Sequence, residues 1–457
     1  MPTRRQANPS PLSRRQFLRQ SSVAAGVLGL PTLVPSWGVG MARAVAPSNR
    51  VVLGCVGLGI QGMGNMRTFR GNTEVQVAAV CDVHETQRNL AKQSVDEAYD
   101  NKDCAAYRDF RELVDRKDID AVQITTPDHW HTLVAMEAIR RGKHIYCEKP
   151  VGWSMRAAQV LRKAVQQSGV VFQFGTQQRS GGNFRFACEL ARNGKIGQLK
   201  TILVGVPASW TCKRQPTEPV PKELDYDLWL GPAPQAPYCY QRCRPWTEKE
   251  GYSVWYCISD YCMGMIGNWG VHHLDIAQWG NGTELSGPTE VEGKGEFPEG
   301  LLTDAATGWQ VENRYANGVT LVHMDDGTSK KHPQQVAGYG HGVLFLGSEG
   351  WVHVDRGVLD ARPKSLLKTK IGPNEIHLFR SDNHHANFID AVKGRTKPAA
   401  PIDIAVRTDT LCHLQQIAIK LRRKLRWDAA QEAFVNDEEA TRMLDRPMRP
   451  PWKIPTA

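Results

Sequence analysis

The chain has 457 residues, enough for two or three domains of roughly 150 residues each and for a hydrophobic core that needs no disulfide staples. Hydrophobic residues make up 41% and charged residues 23%, the balance of a globular protein rather than a disordered one. The net charge of +10 owes much to the first 44 positions, which hold Arg4, Arg5, Arg14, Arg15, Arg19 and Arg43 and no acid. The remainder is close to neutral, so composition gives a nucleic-acid partner no support.

Ser13-Arg14-Arg15-Gln16-Phe17-Leu18 precedes a modest apolar stretch and small residues around Ala42-Arg43-Ala44, the layout of a secretory leader. The paired arginines resemble a twin-arginine export signal, with residues 1–44 as the signal peptide and a periplasmic or otherwise exported product. Pro31 and Pro35 interrupt the apolar stretch, so no stable membrane span is expected once the leader is removed. There are 11 cysteines, an odd number. Cys55 and Cys81 read as buried small hydrophobes. A disulfide within 212–262 stays open, and the spacings of Cys239, Cys243, Cys257 and Cys262 match no zinc pattern, so no metal is expected.

Residues 51–56 form an apolar run typical of a buried parallel strand, and the glycine-rich Gly57–Gly64 leads into a helix reaching about Phe69. Strands are expected at 75–81, 119–124, 144–147 and 170–174. Helices are expected in the segment up to about Asp115, from Thr132 to Arg140 and from Ser154 to Gln167. This alternation predicts a doubly wound α/β domain over 50–175. Longer strands at 199–206 and 319–324, a hairpin at 343–347 and 351–355, and a helix from Asp403 to Leu425 predict an α+β domain over 176–430 with a large, mostly antiparallel sheet. Residues 431–457 read as an extended tail.

The glycine cluster carries chemistry because of its context: it follows a strand, opens a helix and precedes, by 25 residues, an acid at a strand end. Gly57 permits the tight turn, Gly59 close approach to a pyrophosphate, and Gly62 close helix–strand packing, with Ile60 and Gln61 in the same loop. Asp82 suits the two ribose hydroxyls of NAD and repels the 2′-phosphate of NADP.

Thr125-Thr126-Pro127-Asp128-His129-Trp130-His131 and Gly142-Lys143-His144-Ile145-Tyr146-Cys147-Glu148-Lys149-Pro150 resemble a signature of the Gfo/Idh/MocA family. Asp225–Pro234 and Gly270–Trp279 add further matches, and the likeness runs from 51 to about 428. The resemblance implies an N-terminal Rossmann domain binding NAD, with Thr126, Pro127, His131, Glu148 and Lys149 joining the loop residues around the cofactor. It also implies a carbohydrate or cyclitol substrate and a homodimer or homotetramer built on the second domain's sheet. Lys149 matches the lysine beside the substrate hydroxyl, and His272 the histidine that takes its proton. An imidazole suits that task because its intrinsic pKa lies near neutrality. Asp275, three residues on, is expected to orient the ring.

Asn268 departs from the family pattern by standing where an aspartate is usual, so the carboxylate that would support the histidine is missing. Lys149 and His272 then carry the proton transfer alone, or a different acid, such as Asp128 or Asp260, is recruited. Asp128, His129, Trp130, His131 and Arg179 complete the expected substrate contacts, with Lys331, His332, His384 and His385 as weaker rim candidates. Trp210, Trp229, Trp246, Trp255 and Trp269 offer faces suited to a sugar ring, although packing accounts for most tryptophans. The leading expectation is an NAD-dependent oxidoreductase acting on a carbinol carbon of a sugar, glycoside or cyclitol. A redox-neutral lyase or glycosidase with tightly held NAD, and a non-catalytic carbohydrate-binding protein, are the alternatives.

Overall fold

A computed structural model describes residues 49–245 and 252–455. The expected leader and Trp246 lie outside the described residues.

Six strands, β1 (Val51–Val56), β2 (Val75–Cys81), β3 (Ala105–Tyr107), β4 (Ala121–Ile124), β5 (His144–Cys147) and β6 (Phe172–Phe174), form one sheet in the order β3-β2-β1-β4-β5-β6. All of its pairings are parallel. The strand order reverses between β1 and β4, which opens a crevice at the carboxyl ends of these two strands, where such sheets bind ligands. Helices Ile60–Arg70, Glu85–Tyr99, Phe110–Asp115, Asp128–Arg140 and Met155–Ser168 connect the strands. Local chemistry sets several of their ends. Ser154 accepts a hydrogen bond from the Ala157 amide at the start of the last helix, and Gly169 ends it in the left-handed region. β3 breaks a segment read as helix-rich; three residues are too few to show alternation.

Nine strands make the second sheet: β7 (Leu199–Val206), β8 (Glu290–Glu296), β9 (Gly308–Arg314), β10 (Thr320–Asp325), β11 (Gly342–Gly347), β12 (Trp351–Val354), β13 (Leu359–Arg362), β14 (Leu425–Asp428) and β15 (Ala433–Phe434). Their order is β13-β12-β11-β7-β10-β9-β8-β14-β15. Only β7 and β10 pair in parallel; the remaining pairings are antiparallel. Helices Gly182–Arg192, Met265–Asn281 and Ile402–Leu421 pack together and against this sheet. The Met265–Asn281 helix is buried on nearly every side, although it carries Asn268, His272, His273, Asp275 and Gln278. Such a helix must satisfy its polar groups from neighbouring elements or leave them facing a ligand.

The two domains are stitched together by later segments. Phe388 and Ile389 of the His384–Val392 helix enter the core formed by Leu53, Phe69, Val77 and Tyr146, so a division at residue 175 does not separate the cores cleanly. The C-terminal tail returns as a strap. The Arg449 amide donates to the Pro232 carbonyl at 2.9 Å, and Trp452 meets Trp130 edge-on at 4.7 Å. All eleven cysteines are unbridged, ten of them buried.

Candidate active site

The nucleotide end of the site is backbone geometry made possible by two glycines. Gly57 has φ +82°, and a Cβ there would stand 2.5 Å from the Thr125 carbonyl carbon. A Cβ on Gly62 would approach the Gly57 carbonyl oxygen to 2.0 Å, so the helix can sit this close to the loop only with glycine at that position. Gly59 caps the Ile60–Arg70 helix with open space beside it, leaving the helix amides available to an anion. The Asp82 carboxylate accepts from the Leu58 amide at 2.7 Å and the His84 amide at 2.8 Å, which fixes it at the end of β2. Burial raises its pKa. Gly57, Gly59, Ile60, Gln61, Gly62, Asp82, Thr126, Pro127, Glu148 and Lys149 all line one cleft, and the buried Thr126 hydroxyl has no partner among the described residues. This donor set and its glycine cradle fit a dinucleotide.

Lys149 ends the short link after β5, and its peptide bond to Pro150 is cis. Beneath it lies the buried Glu148 carboxylate, which accepts from Asn65 Nδ2 at 3.0 Å and Gln177 Nε2 at 2.8 Å. His131 braces this turn against the β4 loop: its Nδ1 meets the Pro150 carbonyl, and its Nε2 meets the Thr126 carbonyl at 2.8 Å. Burial pushes the ring's pKa down to about 4, and the single N–H of the neutral imidazole donates to one of these two carbonyls while the other nitrogen packs against the second loop. Its bonding differs from the expected substrate contact because both nitrogens face backbone.

A second chamber opens beside the cleft and shares Gln61, Glu148, Lys149, Tyr252 and Tyr256 with it. Its far wall comes from the Met265–Asn281 helix, through Asn268, Trp269 and His272, with Arg356, His385 and Trp210 around the rim. Lys149 thus stands at the junction, with the dinucleotide cleft on one side and His272 on the other. Nδ1 of His272 and Nδ2 of Asn268 are buried and unpartnered among the described residues. Burial, then the charge of Lys149, lowers the His272 pKa well below its ordinary value, so the ring is neutral at neutral pH and keeps a nitrogen lone pair free. Asp128 lines the cleft, and one of its carboxylate oxygens is buried without a partner among the described residues; burial pushes its pKa up to about 7 against the opposing pull of Lys149.

Other expected contacts are placed differently. Asp275 does not orient His272: its carboxylate takes Arg179 Nε at 2.7 Å and Nη2 at 2.8 Å, and the Thr408 hydroxyl at 3.2 Å. Arg179 also reaches Glu284 at 3.0 Å and stacks over Trp279. Both are spent on a buried ion pair and line neither chamber. Three positions on a helix share a general face, yet helix packing turned Asp275 toward a cation supplied from elsewhere. His129 and Trp130 belong to the first turn of the Asp128–Arg140 helix rather than to a loop, and each bonds the Trp229 carbonyl, at 3.0 and 3.2 Å. They clamp the Asp225–Pro234 segment, although Trp130 keeps an edge in the cleft. His384 is bonded to the Phe174 carbonyl, and Lys331 and His332 line neither chamber. Arg356, Tyr252, Tyr256, Asn65 and Gln177 escaped the sequence reading. Their places depend on how distant segments meet, and none sits in a local pattern.

Residues 51–176 match the family model described as an oxidoreductase family, NAD-binding Rossmann fold, and residues 206–454 its C-terminal alpha/beta domain. The chain belongs to the Gfo/Idh/MocA oxidoreductase family. NAD is therefore the cofactor for which the cleft is built. Among curated relatives, the oxidoreductase YrbE of Bacillus subtilis is 23% identical over 76% of this chain and 83% of its own. A glycosyl hydrolase family 109 protein of Saccharopolyspora erythraea is 34% identical over 32% of this chain. That match spans only 35% of the relative's own length. An inositol 2-dehydrogenase of Salmonella typhimurium is 30% identical over 32% of this chain and 42% of its own. Among solved structures, the WlbA dehydrogenase of Bordetella pertussis, in complex with NADH and UDP-GlcNAcA, superposes with a TM-score of 0.59 at 15% identity. The match covers 83% of this chain and 99% of WlbA. Scyllo-inositol dehydrogenase of Lactobacillus casei, with NAD(H) and scyllo-inositol, gives a TM-score of 0.55 at 17% identity over 82% and 99%. At these identities the structures speak for the fold alone.

Proposed function

We propose that this Gfo/Idh/MocA protein is an NAD-dependent oxidoreductase transferring hydride between the nicotinamide and a carbinol carbon of a sugar, glycoside or cyclitol. The observation that carries the reading is the junction: one cationic side chain, Lys149, borders both the dinucleotide cleft and a polar chamber holding His272 and Asn268. Relatives bearing inositol dehydrogenase and glycosidase names support a polyhydroxylated substrate.

When bound, NAD accepts or returns the hydride. Lys149 holds the reacting hydroxyl oxygen through its ammonium. Neutral His272 takes the hydroxyl proton and gives it back on reduction. Asn268 holds a substrate hydroxyl without ionising, and Trp269 and Trp210 supply apolar faces to the ring. Asp128, poised near neutrality, is the nearby acid able to exchange protons with the Lys149 side of the site.

A second reading, a redox-neutral elimination or glycoside cleavage in which the hydride returns to the same substrate, is favoured by the covering of the cleft. Leu224, Trp229, Cys243, Tyr252, Ser253, Trp255 and Tyr256 from the second domain wall it in, an arrangement suited to a retained cofactor. Substrate deuterated at the oxidised carbon separates the two. Label collecting in free NADH marks net oxidation, label retained on the same carbon with a transient absorbance of bound reduced nicotinamide marks the neutral route, and turnover with label retained and no such absorbance contradicts both.

The leader at 1–44 supports export by the twin-arginine route, which carries proteins already folded and so delivers an enzyme with its cofactor in place. No helix of the described residues is long and apolar enough to cross a membrane. The family resemblance further supports a homodimer or homotetramer.

A further inference from the structure

His273 follows the proposed base in sequence but faces away from the chamber. Its Nε2 lies 3.1 Å from Nε2 of His341, and Oδ1 of Asp355 stands 3.8 Å from the first nitrogen and 3.7 Å from the second. The three donors come from three segments: the buried Met265–Asn281 helix, the residue before β11 and the residue after β12. The antiparallel pairing of Val343 with Val354 brings the last two to the same end of one hairpin. Four ligands at about 2.0–2.2 Å around a zinc-class ion stand about 3.3–3.6 Å apart, so these separations are close to the edges of such a tetrahedron.

We propose that His273, His341 and Asp355 form a binding site for a divalent cation of the zinc class, with the remaining position open to water. The donor set, two imidazoles and one carboxylate, is the chemistry that borderline divalent ions prefer. Burial disfavours protonation of both rings, which keeps their lone pairs available. The His273 side chain is fully buried, whereas His341 and Asp355 are 27% and 22% exposed, giving the ion a path in from one side. The Arg356 amide donates to the same Asp355 oxygen at 2.6 Å and fixes the carboxylate. Two charges bear on the balance: the Asp326 carboxylate acts on His341 in favour of a cation, and the Arg356 guanidinium, stacked over Trp269 at 4.4 Å, acts against it. Trp269 also touches His341 edge-on at 5.0 Å and lines the substrate chamber. A cation here ties the helix bearing His272 to the β11–β12 hairpin and steadies the Trp269–Arg356 wall. The site lies behind the chamber, so it does not rest on the oxidoreductase reading.

Without a cation, the same geometry is a single hydrogen bond between two imidazoles, and the experiment distinguishes the two states. NAD-loaded protein is dialysed against a chelator and titrated with CoCl2, then with ZnCl2. One equivalent of cobalt should develop the intense visible bands of a four-coordinate ion, and zinc should erase them. His341→Gln and Asp355→Asn, both on the part-exposed side, should lose the bands while retaining NAD binding as proof of folding. His377→Gln, at a histidine bonded to the Gly372 carbonyl of its own loop, should retain them. Absence of a cobalt spectrum in the unaltered protein, or a spectrum untouched by both ligand variants, overturns the proposal.

Discussion

Asp128 is the residue whose electrostatics make the plainest demand. It is buried beside Lys149, with a folded-state pKa near 7, while an unfolded aspartate titrates near 3.9. The native state therefore holds this proton more tightly than the unfolded state does. The contribution to stability is full below about pH 4 and is lost as pH rises toward about 7. Asp128→Asn should flatten that part of the stability–pH curve, so that the variant gains on the parent between pH 4 and 7 in denaturant titrations; parallel curves would remove Asp128 from the list of perturbed acids. Asp82 makes a second demand at this scale. Its carboxylate, fixed by the Leu58 and His84 amides, should favour NAD over NADP, and titration of cofactor-free protein with both nucleotides checks it. Equal or tighter NADP binding would mean that a neighbouring cation overrides Asp82. These residues were legible in the sequence because each belongs to a local pattern: a strand, a turn and a helix start in fixed order.

At the scale of elements, the Met265–Asn281 helix shows where such legibility ends. Sequence places Asn268, His272 and Asp275 along it, but periodicity cannot say which buried polar group meets which neighbour. The structure gives Asp275 to Arg179, nearly a hundred residues away in sequence, and leaves His272 and Asn268 facing the chamber. The Arg179–Asp275 pair is at most 3% exposed, so removing one partner strands a charge in the interior. Arg179→Ala should cost about 3–5 kcal/mol in chemical denaturation. A loss well under 1 kcal/mol would show that water reaches Asp275 or that its carboxyl takes up a proton. The strands of the first sheet were readable from continuous apolar runs, whereas the short β3, β13, β14 and β15 were not. β4, β5, β6 and β12 are as short and were legible; β3, β13, β14 and β15, with charged residues in or beside them, carry too little pattern, so sheet pairing defines them.

At the scale of the whole molecule, the domains are coupled by segments that sequence order hides. The His384–Val392 helix enters the nucleotide-binding core, and the C-terminal strap reaches Trp130. The consequence is a cleft covered by both domains, an arrangement suited to a retained cofactor. Replacing Arg14 and Arg15 with lysines should hold tagged precursor inside the cell, and export at the unaltered rate would sink the twin-arginine assignment.

In the proposed reaction Lys149 and His272, from different domains, act together on one hydroxyl beside the nicotinamide. This joint action is tested most directly by following the absorbance of reduced nicotinamide when hexoses, methyl glycosides and inositols are added to NAD-loaded protein, with Lys149→Ala and His272→Ala measured alongside. Bound NAD should be reduced in the parent and at a rate about 10²–10⁴-fold lower in each variant, a loss far larger than any weakening of NAD binding. Reduction at the parental rate in both variants would contradict it.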